Sequence, residues 1–214
     1  MKIYTRRGDD GTTGLLYGGR VPKSHPAVEL NGTVDEAQAA LGLARADAPI
    51  GGELDTVIGS LENDLWVLMA EVATAPANRR KLVEGETMVS SAMVERVETL
   101  IDSFEGRYSM PASFVIPGQN RQSALLDQAR TVVRRAERRA WEVEGPLDLV
   151  AKYLNRLSDL CWVLARWQED GHRLPEKPGR PRQASQDGPS GSDAVHSAGS
   201  GPAGTVRGEP GSPC

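Results

Sequence analysis

The chain has 214 residues, with 25 Lys and Arg against 29 Asp and Glu, a formal net charge of −4, 39 % apolar and 5 % aromatic residues. This is the balance of an ordinary globular protein, and the mild acidity argues against general nucleic-acid binding. No stretch approaches the ~18 uncharged apolar residues of a transmembrane helix, so no membrane partner is expected. The opening Met-Lys-Ile-Tyr-Thr-Arg-Arg-Gly-Asp-Asp has no apolar signal core. Cys161 sits in an apolar pattern and Cys214 is the last residue, which reads as two free thiols in a reducing, cytoplasmic setting.

Residues 1–25 carry Gly8, Gly11, Gly14, Gly18 and Gly19 with Thr5, Thr12 and Thr13. That spacing suits no helix and reads as a loop, with a short extended piece at 2–5. A helical pattern starts at Pro26, which suits a first helical position. Thr33-Val34-Asp35-Glu36 has capping-box form and offers a second start. Asp47-Ala48-Pro49 ends this helix.

A second helix is expected over 52–75, where Leu54, Ile58, Leu61, Leu65, Leu68 and Val72 step by three and four. A third covers 87–105 with Met93, Val97, Leu100, Ile101 and Phe104 on one face. Residues 106–119 form a loop around the apolar run Phe114-Val115-Ile116. A fourth helix spans 120–142, with Leu125, Ala129, Val132, Val133, Ala136 and Ala140 inward. A fifth spans 147–170, with Val150, Leu154, Leu157, Cys161 and Leu164 inward. The fold class is therefore all-α: a five-helix antiparallel bundle around a four-helix core, with short connections and no convincing strand.

Residues 26–174 form the bundle, in one domain with 1–25. Residues 175–214 hold 8 Gly and 7 Pro among 40, with Val195 and Val206 as the only branched aliphatics. This composition cannot bury enough apolar surface to offset its ordering entropy and reads as a disordered tail.

Three segments carry chemical potential. The first is the Gly/Thr loop from Thr5 to Gly14, followed by Arg20 and Lys23. Glycines admit close backbone approach, hydroxyls donate, and Arg and Lys supply charge, which suits a polyphosphate. The Walker pattern is absent, so this is not a P-loop. The second is Arg130, Arg134, Arg135, Arg138 and Arg139 on the fourth helix, with Glu137 as the one local carboxylate. Such a face is self-repelling unless acidic residues or an anionic ligand offset it. A solvated face or a subunit interface explains it equally. The third is Tyr153-Leu154-Asn155-Arg156-Leu157-Ser158-Asp159, whose bland reading is local pairing between Arg156 and Asp159. Phe114 is either a plug over the core or an apolar wall for a ligand. The three histidines, His25, His172 and His196, form no zinc or di-iron spacing, so no protein-held metal is expected.

Taken in order, five segments resemble the PduO-type ATP:cob(I)alamin adenosyltransferases. They are Thr5-Arg6-Arg7-Gly8-Asp9-Asp10-Gly11-Thr12-Thr13-Gly14-Leu15, Gly32-Thr33-Val34-Asp35-Glu36, Phe114-Val115-Ile116-Pro117-Gly118, Ala129-Arg130 through Arg138, and Tyr153 through Asp159. The resemblance covers about residues 2–170 and implies a homotrimer of five-helix subunits with active sites at the interfaces. It implies ATP with Mg²⁺ as cosubstrate. Cob(II)alamin is bound base-off and reduced to cob(I)alamin, whose cobalt attacks C5′ of ATP and releases triphosphate.

Carried over by motif, Thr5, Arg6, Gly8, Asp9, Gly11, Thr12, Thr13 and Lys23 cradle the triphosphate, and Arg134, Arg135, Glu137 and Asn155 line the ATP site. Arg130 pairs with Asp35 across the interface and shapes the corrin pocket. Phe114 lies under the corrin's lower face. A corrinoid reductase and an adenosylcobalamin-dependent mutase are the implied partners. Arg7, Asn31, Gln38 and Gln119 depart from the family pattern without removing an assigned residue. The alternative from another class is a non-catalytic adenosylcobalamin carrier. A helical pyrophosphohydrolase would need a Glu-x-x-Glu-Asp cluster, which the chain lacks.

Overall fold

The computed structural model describes residues 4–109, 111 and 115–169. Five α-helices dominate: α1 (Pro26–Ala46), α2 (Glu53–Val72), α3 (Ser91–Glu105), α4 (Arg121–Ala140) and α5 (Asp148–Trp167). The all-α expectation holds for the body of the chain. The starts of α1, α3 and α4 each have a local cause. His25 caps α1 by accepting the Ala27 N–H on Nδ1 at 3.2 Å, with Pro26 at the first turn. The helix therefore starts at Pro26. Thr33, the other candidate cap, lies buried in the helix interior, and its hydroxyl donates to the Glu29 carbonyl at 2.7 Å. Ser90 caps α3 through the Met93 N–H. Asn120 and Ser123 cap α4 reciprocally: the Asn120 side chain accepts the Ser123 N–H at 2.8 Å, and the Ser123 hydroxyl accepts the Asn120 N–H at 3.3 Å.

Two expectations are corrected. The N-terminal segment is not simply a loop, because β1 (Thr12–Gly14) and β2 (Arg20–Pro22) pair antiparallel, Thr13 opposite Val21. Tyr17, Gly18 and Gly19 all take positive φ, which turns the chain between these three-residue strands. Residues 4 and 5, inside the expected extended piece, belong to no strand. The connection from α2 to α3 is also long, with a 3-10 helix at Pro76–Lys81. Its cause is Glu71 at the end of α2. This buried carboxylate accepts the Arg79 guanidinium at 2.5 Å and the Val89 N–H at 2.7 Å, folding the connection back over the helix end.

The packing runs α2–α1–α4–α5–α3. Leu30, Val34, Leu41, Leu61, Leu65, Leu126, Val133, Leu154, Leu157 and Leu164 are fully buried within it. On α4, Leu126 is the more deeply buried leucine and Leu125 packs at the margin. Asp64 of α2 closes the ring. Its carboxylate accepts the Tyr153 hydroxyl of α5 at 2.8 Å and the Arg96 guanidinium of α3. Burial pushes the Tyr153 phenol well above its usual range, so it donates this bond at any physiological pH. The expected tail at 175–214 lies outside the described residues.

Removing the Tyr153 hydroxyl strips one donor from a buried carboxylate. Tyr153→Phe should therefore cost about 1–3 kcal/mol in urea unfolding at fixed protein concentration; an unchanged midpoint would show that Arg96 alone satisfies Asp64.

Candidate functional site

The N-terminal hairpin is held open by side chains rather than by a core. Asp10 turns the chain by accepting both the Thr12 N–H at 2.9 Å and the Thr12 hydroxyl at 2.8 Å. These bonds, led by the Thr12 backbone, hold its carboxyl below its usual pKa. Arg20 ties the same loop from the opposite strand, donating to the Thr12 hydroxyl and, at 2.5 Å, to the Arg7 carbonyl. Gly11 stands at φ +79°. A Cβ on Gly8 would lie 3.3 Å from Lys23 Cε, Lys23 Nζ and the Thr12 carbonyl, so the lysine lies close against the Gly8 backbone. The loop is docked on the body by the Leu16 N–H, which donates to the Ala73 carbonyl at 2.8 Å. The outcome is an exposed cationic turn with glycine backbone, hydroxyls and an ammonium group on one small surface.

A second cationic surface stands on α4, where α1 provides partial neutralisation. Arg135 pairs with Glu36, and Arg139 pairs with Glu29 at 3.5 Å and with Glu142 at 2.9 Å. The Arg134 guanidinium has no hydrogen bond or ion pair among the described residues. It lies near enough to act on Asp159, whose carboxyl is raised by burial against the opposing pull of Arg156 and Arg134. Asn155 on α5 donates to Glu137 at 2.9 Å and accepts from Arg156 at 2.5 Å. Arg156 continues to Glu98 of α3 at 2.8 Å. The expected Arg156–Asp159 pairing is thus replaced by an interhelical chain, Glu137–Asn155–Arg156–Glu98. A groove of about 560 Å³ opens beside it between α3 and α5, with Arg156, Asp159 and Trp162 on its walls.

Further along α4, Arg130 lines a shallow depression of about 260 Å³ with Pro117, Gly118, Gln128 and Thr131. Its Nε donates to Asp127 at 3.0 Å. Asp35 on α1 is exposed, and within one subunit it does not meet Arg130. Phe114 lies outside the described residues. Of the expected site residues the fold brings together Gly8, Gly11 and Lys23, with the Lys23 N–H donating to the Gly11 carbonyl at 2.9 Å, as well as Arg6 with Asp9 and Glu137 with Asn155. No hydrogen bond or ion pair joins the N-terminal loop to Arg134 or Asn155 within the subunit, among the described residues.

Asp10 and Arg20 lie in the segment that the sequence marks for a polyphosphate but carry no site role of their own there, although both order Thr12. Their spacing around the glycines was readable, but their pairing depends on the hairpin. Among the described residues no three His, Cys, Asp or Glu side chains converge as metal ligands.

The family model described as cobalamin adenosyltransferase matches residues 3–168. A corrinoid adenosyltransferase of Mycobacterium bovis is 39% identical over 189 residues, covering 86% of this chain and 97% of its own. Another from Bacillus subtilis is 34% identical over 172 residues, covering 78% and 86%. Among solved structures, a variant PduO-type ATP:corrinoid adenosyltransferase from Lactobacillus reuteri, complexed with cobalamin and ATP, superposes with a TM-score of 0.69. It is 26% identical and covers 78% of this chain and 90% of that one.

Arg20→Ala removes the tie between the strands of the hairpin. Amide exchange over residues 8–14 should then accelerate by about tenfold, the worth of roughly one hydrogen bond, while the helices exchange as before. Unchanged protection in the loop would show that Asp10 suffices.

Proposed function

This chain belongs to the cobalamin adenosyltransferase family, and we propose from that premise how its residues carry out the family's reaction. It is an ATP:corrinoid adenosyltransferase. The lone pair of cobalt(I) attacks C5′ of ATP, a Co–C bond forms, and the C5′–O bond breaks with its electrons leaving on triphosphate. The products are adenosylcobalamin and triphosphate. Cobalt(I) is itself the nucleophile and the leaving group is a stable anion. The protein therefore has to position the two reactants and stabilise developing negative charge. A histidine base is not required. The observation that supports this reading most is the paired provision for anions: a hairpin that lays Lys23 against Gly8, and a helix whose Arg134 guanidinium makes no hydrogen bond or ion pair among the described residues. A pure adenosylcobalamin carrier would need neither.

In this reading Thr5, Arg6, Gly8, Asp9, Gly11, Thr12, Thr13 and Lys23 cradle the triphosphate, which arrives with Mg²⁺ on its oxygens. Arg134, Arg135, Glu137 and Asn155 of a neighbouring subunit complete the ATP site. The lack of contact between these two groups inside one subunit supports a site made between subunits, in a homotrimer. The only partly neutralised cationic face of α4 and the exposed Asp35 of α1 support the same arrangement, with Arg130 reaching Asp35 of the next subunit. Phe114 lies under the corrin and excludes water and the lower base, so that base-off cob(II)alamin is reduced more easily. An external corrinoid reductase supplies the electron, and an adenosylcobalamin-dependent mutase receives the product. Residues 1–25 act in one domain with the bundle at 26–174, and no step of the reaction is assigned to residues 175–214. No described helix is long and apolar enough to cross a membrane, and the reaction is assigned to the cytoplasm.

Two variants separate the roles. Arg134→Ala should raise the ATP dissociation constant by roughly 10–100-fold, the loss of a charge-assisted contact to phosphate. Phe114→Ala should leave ATP binding intact and lower turnover from cob(II)alamin by about tenfold or more. Calorimetric ATP titration and anaerobic turnover check both; an unaltered ATP dissociation constant removes Arg134 from the site, and unaltered turnover removes the corrin-facing role of Phe114.

A further inference from the structure

Arg130 is held from behind by a buried charge chain that the family reaction does not itself require. Its Nε donates to Asp127 Oδ1 at 3.0 Å, one turn earlier on α4. The other oxygen of the same carboxylate, Oδ2, accepts from Arg166 Nη2 of α5 at 2.6 Å. Asp127 is 4 % exposed and Arg166 is 1 % exposed. Arg166 also donates from Nη2 to Glu169 Oε1 at 2.9 Å, while its buried Nε makes no hydrogen bond among the described residues. A carboxylate buried to this degree needs its partners in place, because each missing contact leaves an ion without water or counter-charge. Asp127 therefore has little freedom: Arg166 fixes one oxygen, and the other is turned to Arg130.

The consequence for Arg130 is geometric. With Nε engaged, its guanidinium plane is set, and its two terminal nitrogens have no partner among the described residues. The side chain is 27 % exposed and stands at the rim of the depression lined by Gly118, Asp127, Gln128 and Thr131. A guanidinium fork presents its donors in one plane, so the direction of that plane decides what it can bind. A free arginine at the same position would sample many rotamers and lose that direction.

We propose that Asp127, anchored by Arg166, is the positioning residue that aims Arg130 at the corrinoid side of the site. This rests on the reading that Arg130 shapes the corrin pocket. In this proposal Asp127, which also borders the depression, acts through Arg130. Arg166 sets the carboxylate by a contact made wholly inside the subunit, so the aim is built into the α4–α5 packing before any neighbour or ligand arrives.

The test is a double-mutant cycle on the full chain with Asp127→Asn and Arg130→Ala, read in three ways. Asp127→Asn should leave the ATP dissociation constant within about twofold of wild type. It should lower turnover from cob(II)alamin with a chemical reductant by about tenfold, and turnover from pre-reduced cob(I)alamin by less. The absorption spectrum of cob(II)alamin on the ATP-loaded protein should shift back toward the base-on form. In the Arg130→Ala background, Asp127→Asn should add nothing further. If Arg130→Ala itself leaves turnover and spectrum unchanged, the reading of Arg130 falls. If Arg130→Ala is impaired but Asp127→Asn is not, or if Asp127→Asn weakens ATP and corrinoid binding alike, the positioning role falls and the chain is a structural tie. Should Asp127→Asn fail to fold, Asp127→Glu keeps the charge for Arg166 and displaces Arg130 by one methylene. The same corrinoid-specific loss is expected, and wild-type turnover and spectrum would overturn the proposal.

Discussion

Helix α4 has to satisfy two opposed demands, and the rest of the structure is arranged around them. Leu126, Ala129, Val132, Val133, Ala136 and Ala140 must be buried against α1 and α5, while the same twenty residues carry Arg130, Arg134, Arg135, Arg138 and Arg139. Small alanines on the inward stripe let the neighbouring helices approach closely. The arginines are then spread over the flanks and the outer face, each with its own electrostatic solution. Glu29 and Glu36 of α1 serve Arg139 and Arg135. Asp127, clamped by Arg166, serves Arg130. Arg134 makes no hydrogen bond or ion pair among the described residues and acts only at a distance on Asp159.

The same division of labour appears at the other end of the chain. The hairpin at 12–22 has almost no core of its own, so its shape comes from polar contacts: Asp10 on Thr12, Arg20 on Thr12 and Arg7, and Leu16 on the end of α2. A segment held this way offers its backbone and hydroxyls outward at small cost in buried surface. It suits a reaction in which the protein contributes orientation and counter-charge while cobalt(I) supplies the nucleophile.

The helices were legible because their apolar residues repeat at helical spacing over fifteen to twenty-one residues. The hairpin was not, since Thr12-Thr13-Gly14 and Arg20-Val21-Pro22 are too short to show alternation, and their pairing is fixed by three consecutive positive-φ residues. The helix start at Pro26 outcompeted Thr33 because His25 supplies a cap earlier in the chain. The connection after α2 was hidden for a similar reason: Glu71 reads as one more helical residue until Arg79 and Val89 are seen to converge on it. In the site, glycine, threonine and arginine spacing exposed the residues that present themselves to a ligand. Asp10, Arg20, Asp127 and Arg166 were silent because each acts on another side chain across the fold, and one-dimensional spacing does not encode which partner that will be.

The reaction itself is tested most directly by anaerobic absorbance. The protein is mixed with chemically reduced cob(I)alamin and Mg-ATP, and the corrinoid spectrum is followed while nucleotide products are separated. The account predicts conversion of cob(I)alamin to adenosylcobalamin with one triphosphate released per corrinoid alkylated. Binding of both substrates with neither product formed would contradict it and leave the protein a carrier.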